Sequence, residues 1–147
     1  MFYGTFEHGL DDKNRLMVPA KLREEVPASE GSIFFLTVGL DGCLFLYTQK
    51  GWEQIVAKMQ AARIGSAAAR NFLRLFFSRA MRQELDATGR LLVPDGLRRA
   101  AGIKRDVALV GVMDRIELWD MARWKRLERA NEPRYERFAE AEGIFGS

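Results

Sequence analysis

Residues Leu10–Arg23, LDDKNRLMVPAKLR, return 75 positions later as Leu85–Arg98, LDATGRLLVPDGLR. Eight of the fourteen aligned positions are identical: Leu10/Leu85, Asp11/Asp86, Arg15/Arg90, Leu16/Leu91, Val18/Val93, Pro19/Pro94, Leu22/Leu97 and Arg23/Arg98. The likeness resumes at a spacing of 72, where Gly39, Leu46 and Trp52 are matched by Gly111, Leu118 and Trp124. A duplication of this length outranks composition as a guide to the fold. It makes the chain two copies of one small unit. Each copy alone is near the size at which a core becomes marginal, so the halves are expected to share one.

Working outward, Thr5–Leu10 reads as a strand, Asp11–Asn14 as a turn and Arg15–Val18 as a second strand. Asn14 aligns with Gly89, and these two residue types best tolerate a positive φ, so a tight hairpin turn is expected just before each arginine. Pro19 and Pro94 suit the first turn of the helices Ala20–Val26 and Asp95–Ala101, the second capped by Gly102. A further hairpin follows in each copy: Ile33–Val38 with Cys43–Tyr47, and Val107–Val112 with Arg115–Trp119. Two such units interleaved would complete each other's open edges in one barrel-like sheet. Helices are expected over Gln49–Ala62, Ala67–Leu85 and Met121–Ala141.

The composition, 48% hydrophobic and 29% charged over 147 residues, is that of a globular protein and not a disordered one. No apolar run reaches the ~20 residues of a membrane helix, and the opening MFYGTFEHG does not read as a signal peptide. The single cysteine, Cys43, excludes an internal disulfide, which suits a reducing cytoplasm. Net charge is only +3, yet residues 1–62 carry −2, residues 63–105 carry +7 and residues 106–147 carry −2. Arginine outnumbers lysine 17 to 6, which favours forked recognition of phosphates or base edges. Nucleic acid leads as a partner.

Strand alternation divides the repeated motif into two faces. Leu16, Val18, Leu91 and Val93 form the core face, and Arg15 and Arg90 point the other way beside Met17 and Leu92. Two readings of the arginines stand side by side: a structural bridge to Asp11 or Asp86, or direct contact with a ligand. Both hold if each aspartate orients its guanidinium fork. Lys13 lies in the first turn; Thr88 and Gly89 lie in the second, where small size would let backbone approach a phosphate. That favours the second copy for the tighter phosphate approach.

Catalysis finds little foothold. His8 is the only histidine, so a histidine pair for metal is excluded, and one cysteine leaves no usual zinc cluster. His8 reads as a strand residue and Cys43 as a small core residue. No glycine-rich phosphate loop and no Gly-x-Ser-x-Gly elbow is present, so no cofactor or small-molecule substrate is expected. Trp52, Trp119 and Trp124 are expected to anchor helices to the sheet. Phe2–Tyr3 is open to two readings, a subunit contact or strand pairing within the chain.

The opening FYGTFEHGLDDKNRLMVPAKLR, the second LDATGRLLVPDGLRRAAGI and the later ELWD at Glu117–Asp120 resemble the MraZ family, bacterial regulators encoded at the division and cell-wall gene cluster. The resemblance spans both halves. It implies an α+β, mainly β fold: a pseudo-dimeric swapped-hairpin, double-split β-barrel of the SpoVT/AbrB type. The parts would be repeat 1 over residues 1–52, connecting helices over 53–80, repeat 2 over 81–124, and a C-terminal helix and tail over 125–147. It also implies a ring-shaped homo-oligomer that binds short direct repeats in promoter DNA, as a repressor associated with the nucleoid. The family's DNA-contacting arginines fall on Arg15 and Arg90. Asn14 departs from the glycine that the motif prefers and Gly89 retains.

The expected mechanism is β-hairpin readout: a two-stranded ribbon fits a major groove, and an arginine can bond bidentately to guanine. Lys13, Arg23 and Arg98 are candidate phosphate contacts, with Asn14, Thr88 and Gly89 in the contacting turns and Asp11 and Asp86 supporting the motif. One arginine supplies only ~1–3 kcal/mol of discrimination, so repetition around a ring is needed. The rival classes are a protein-interaction scaffold with incidental nucleic-acid binding, and an RNA binder. An enzyme is not expected.

Overall fold

Alternating apolar residues bounded by glycine, asparagine and aspartate turns build each repeat, and the order of elements confirms the duplication. The computed structural model describes residues 1–62 and 65–146. Repeat 1 comprises β1 (Thr5–Gly9), β2 (Arg15–Met17), α1 (Ala20–Arg23), β3 (Ile33–Val38) and β4 (Leu44–Thr48). Helices α2 (Gln49–Ala61) and α3 (Ala67–Ser78) lead to the second copy. Repeat 2 comprises β5 (Met81–Glu84), β6 (Arg90–Leu92), α4 (Asp95–Ala100), β7 (Asp106–Val112) and β8 (Arg115–Asp120). Helices α5 (Met121–Asn131) and α6 (Tyr135–Glu142) close the order.

The repeats exchange their first strands. One antiparallel sheet runs β1-β7-β8-β4-β3-β5, so β1 of repeat 1 pairs with β7 of repeat 2 and β5 of repeat 2 pairs with β3 of repeat 1. The β4–β8 pairing joins the halves at the centre. β2 and β6 leave this sheet and pair with each other, Leu16 opposite Leu91. The turns before the arginines therefore do not close local hairpins. Each turn hands its chain from a strand paired with the other repeat to a ribbon shared with it. The pairings make a six-stranded sheet and a two-stranded ribbon; no closed barrel is found among the described strands, so the expected double-split barrel is matched only in its mixed α+β, mainly antiparallel character.

Both faces of the sheet are covered, which explains why β4 is buried at Leu44, Phe45, Leu46 and Tyr47 alike. One face, with Leu36, Leu44, Leu46, Leu109, Ile116 and Leu118, packs on the ribbon's Leu16, Val18, Leu91 and Val93 and on Leu22 and Leu97 of α1 and α4. The four ribbon residues are at most 1% exposed, as the alternation predicted. Both repeats thus feed one core. The opposite face carries Phe45, Tyr47, Ala108, Val110 and Trp119 against α2, α3 and α5. Trp52 stacks between Phe35 and Phe76 at centroid separations of 4.9 and 5.5 Å, and Trp119 lies 5.8 Å from Trp124. These tryptophans do anchor helix to sheet. Thr37, fully buried, donates from its hydroxyl to the Phe76 carbonyl and fastens α3 to β3.

Two helices differ from the sequence reading. Ala67–Leu85 is not one helix: α3 stops at Ser78, and Met81–Glu84 forms edge strand β5. Met121–Ala141 is interrupted at Glu132–Arg134, where Pro133 cannot donate to the preceding turn. The segment 53–80 also includes residues 63 and 64, which lie outside the described residues. His8 stands in β1 opposite Val107, and Phe2 is buried in a bridge to Met113 within the chain. Cys43 is buried, and burial raises its thiol pKa to about 12.

Candidate nucleic-acid interface

The D-x-x-x-R spacing is explained by a division of labour between the two oxygens of each aspartate. In the first loop, Asp11 Oδ1 accepts from the backbone N–H groups of Lys13 and Arg15, both at 2.9 Å. In the second, Asp86 Oδ1 accepts from the N–H groups of Thr88 and Arg90 at 2.9 and 3.0 Å, and from the Thr88 hydroxyl at 2.8 Å. These bonds close each loop over three intervening residues. The other oxygen holds the arginine: Arg15 Nε donates to Asp11 Oδ2 at 2.8 Å and Arg90 Nε to Asp86 Oδ2 at 3.1 Å. At the turn's end Asn14 has φ 57° and Gly89 φ 86°, the left-handed conformation expected of both.

The motifs also reach each other. Arg90 Nη1 donates to Asp11 Oδ2 at 3.2 Å, while Arg15 Nη1 lies 4.0 Å from Asp86 Oδ2. Backbone bonds reinforce the exchange: Val18 N–H donates to the Gly89 carbonyl and Val93 N–H to the Asn14 carbonyl. Within the ribbon Arg15 faces Leu92 and Met17 faces Arg90, so the four side chains form one outward patch. The two arginine–aspartate motifs therefore meet in one patch built from both repeats.

Electrostatics follow the geometry. The backbone N–H of Arg15 is the foremost cause that holds the Asp11 carboxyl below its ordinary pKa, with help from Lys13 and the Arg15 guanidinium. The backbone N–H of Arg90, then the Thr88 hydroxyl, lower Asp86 further, far below the usual carboxylate range. Both aspartates are thus anionic at neutral pH and keep the guanidinium groups oriented. The bonds occupy one nitrogen of Arg15 and two of Arg90; among the described residues, both Nη atoms of Arg15 and Nη2 of Arg90 have no hydrogen-bond acceptor.

The other site candidates scatter. Lys13 is exposed on the first loop and Thr88 on the second. Gly89, expected to open the backbone to phosphate, is buried beneath Arg23: a Cβ there would stand 2.8 Å from Arg23 Cζ. Its missing side chain makes room for Arg23, whose Nε donates to the Val18 carbonyl at 2.8 Å. Arg98 is turned inward as well, with Nη1 donating to the Ile103 carbonyl and Nη2 3.5 Å from Asp95. Sequence reasoning missed Asp95, which accepts from Asn14 Nδ2 at 3.2 Å and ties the first loop to α4 of the other repeat. Only the exchange of strands brings that pair together. No group of three metal-ligating side chains occurs among the described residues.

Fold and site together define a protein of two exchanged repeats that presents a shared arginine–aspartate patch. The family model for the MraZ protein, described as antitoxin-like, matches twice, over residues 1–75 and 76–143. A transcriptional regulator MraZ of Moorella thermoacetica is 43% identical over 140 residues, 95% of each chain. One from Acetivibrio thermocellus is 38% identical over 146 residues, 99% of each chain, and one from Clostridium beijerinckii 41% identical over 131 residues, 89% of each. The chain belongs to the MraZ family, whose members here are named as regulators and not as enzymes. Among the described residues no helix is long and apolar enough to cross a membrane.

Proposed function

We propose that this chain is a sequence-specific, DNA-binding transcriptional regulator, and that the Arg15–Arg90 patch is its reading surface. The observation that carries this is the pair of oriented guanidinium groups on one outward ribbon, with donors left over after the internal bonds are made. A two-stranded ribbon fits the major groove, where arginine donates two hydrogen bonds to guanine O6 and N7. Arg15 has both Nη atoms ready for such a contact. Arg90 holds one in reserve and exchanges its Asp11 bond for a second. Exposed Lys13 is a phosphate contact of the first loop, and Thr88 of the second. Arg23 and Arg98 act from behind by supporting the loops.

One ribbon per chain gives one reading head, and a single arginine pair discriminates too weakly to select a promoter. The reading therefore includes self-association into a ring that sets several heads against short direct repeats, with repression at the division and cell-wall gene cluster as its outcome. The exchanged strands support the swapped-hairpin, double-split character of the repeats, with units at 1–52 and 81–124 joined by helices. The setting is cytoplasmic, at the nucleoid.

Selection of bound duplexes from a random pool supplies the target; mobility-shift titration then compares selected, scrambled and RNA duplexes. Wild-type protein is expected to prefer the selected DNA, with affinity falling steeply as salt rises. Arg15→Ala is expected to abolish the preference. Equal binding of all duplexes by the wild type, or unchanged preference in Arg15→Ala, overturns the reading in favour of a protein-interaction scaffold.

A further inference from the structure

Two surfaces of this chain carry exposed apolar side chains and opposite charge. The first is α3 with the start of β5. Phe72, Leu75, Phe77 and Met81 are 44, 50, 39 and 43% exposed. Arg70 and Arg74 lie four apart on α3, followed by Arg79 and Arg82, and no aspartate or glutamate occurs between Met59 and Gln83. The second is α6 and the turn after it. This helix buries none of its residues, and Tyr135, Phe138, Ile144 and Phe145 are 65, 45, 69 and 81% exposed. An eight-residue helix with no buried face is marginal in water and gains order by docking.

The chain folds back after α6: Gly143 adopts φ 61°, and Ile144 N–H donates to the Ala139 carbonyl. This encloses a groove of about 270 Å³ lined by Tyr135, Glu136, Ala139, Glu140, Phe145 and Gly146. Its two carboxylates and two aromatic rings suit a guanidinium that is paired at its edge and stacked on its face. The groove's complement is the α3 face on which Arg70, Arg74 and Phe77, all exposed, follow one another at helical spacings of four and three.

We propose that the α6 groove of one copy receives the α3 surface of a second copy, with Glu136 and Glu140 opposite Arg70 and Arg74. The interface is heterologous, because two different patches meet; each copy keeps a free α3 at one end and a free α6 at the other. Such contacts propagate until they close into a ring. This rests on the self-association included in the proposed function and assigns the surfaces that make it.

The test uses full-length chains and charge reversal, read by light scattering after size exclusion and by native mass spectrometry. Wild-type protein is expected to assemble. Arg70→Glu/Arg74→Glu alone and Glu136→Arg/Glu140→Arg alone are each expected to run as smaller species with unchanged circular dichroism. An equimolar mixture of the two is expected to regain the large assembly, since each copy then offers a patch that complements its neighbour. A folding defect would not be rescued by mixing. Full assembly of both charge-reversed variants, or failure of the mixture to reassemble, overturns the pairing and leaves self-association standing. A monomeric wild type overturns both.

Discussion

The two loops share a motif but not an environment. The first, Asp11–Arg15, leaves Lys13 exposed and turns on Asn14, whose side chain bonds Asp95 of the other repeat. The second, Asp86–Arg90, turns on Gly89 and is roofed by Arg23, also of the other repeat. Asp11 holds both arginines through Oδ2, at 2.8 and 3.2 Å, whereas Asp86 holds Arg90 at 3.1 Å and stands 4.0 Å from Arg15. Duplication supplied two equal loops, and packing left the first more open and the second covered by Arg23. The second loop lies in the more basic stretch, yet its arginine is the more restrained.

The largest effects should fall where the copies remain equivalent. Leu16→Ala and Leu91→Ala face each other in the shared core, and each is expected to cost about 2–5 kcal/mol in urea unfolding. Similar losses with one cooperative transition support a common core; two transitions, with each variant shifting only one, would show independent halves. Gly89→Ala comes next. It places a side chain at positive φ, at roughly 1–2 kcal/mol, and displaces Arg23 as well. Asn14→Gly relieves that backbone conformation and loses one exposed hydrogen bond, so its midpoint should move by less than half as much. An equal shift would mean that Arg23 yields freely.

A smaller contrast separates the aspartates. Asp11→Asn is expected to reduce preference for the selected duplex more than Asp86→Asn, because it releases both guanidinium groups. Loss of a negative charge should meanwhile strengthen binding to scrambled DNA. Titration of both duplexes reads the two effects; equal loss of preference would remove the hub role of Asp11. The smallest effect is in acid. Both folded-state carboxyl pKa values lie below the ordinary value, so these groups contribute stability above about pH 4 and lose it as pH falls further. Asp86→Asn should flatten the acid limb of stability more than Asp11→Asn, since Asp86 is the more strongly lowered. Superimposable profiles would contradict that ranking.

Much of this was legible locally. The repeat fixed the number of units, alternation fixed the buried side of Leu16–Val18 and Leu91–Val93, and the Asn14/Gly89 pair announced the turns. What escaped depends on partners distant in sequence. Nothing in Thr5–Gly9 says that its partner is Asp106–Val110 and not the strand after its own turn. β5 looked helical because an edge strand exposes Met81, Arg82 and Glu84 and lacks an apolar alternation. Gly89 read as an opening toward a ligand because its occupant, Arg23, sits 66 positions away in the other repeat.

On the proposed function, both motifs act as one head. A double-mutant cycle with Arg15→Ala, Arg90→Ala and the double variant, measured as affinity for the selected duplex, decides the point. For a shared head, Arg15→Ala is expected to be the costlier single change and the pair to be coupled by roughly 0.5–3 kcal/mol. Losses that add to within about 0.5 kcal/mol would show two independent contacts and contradict it.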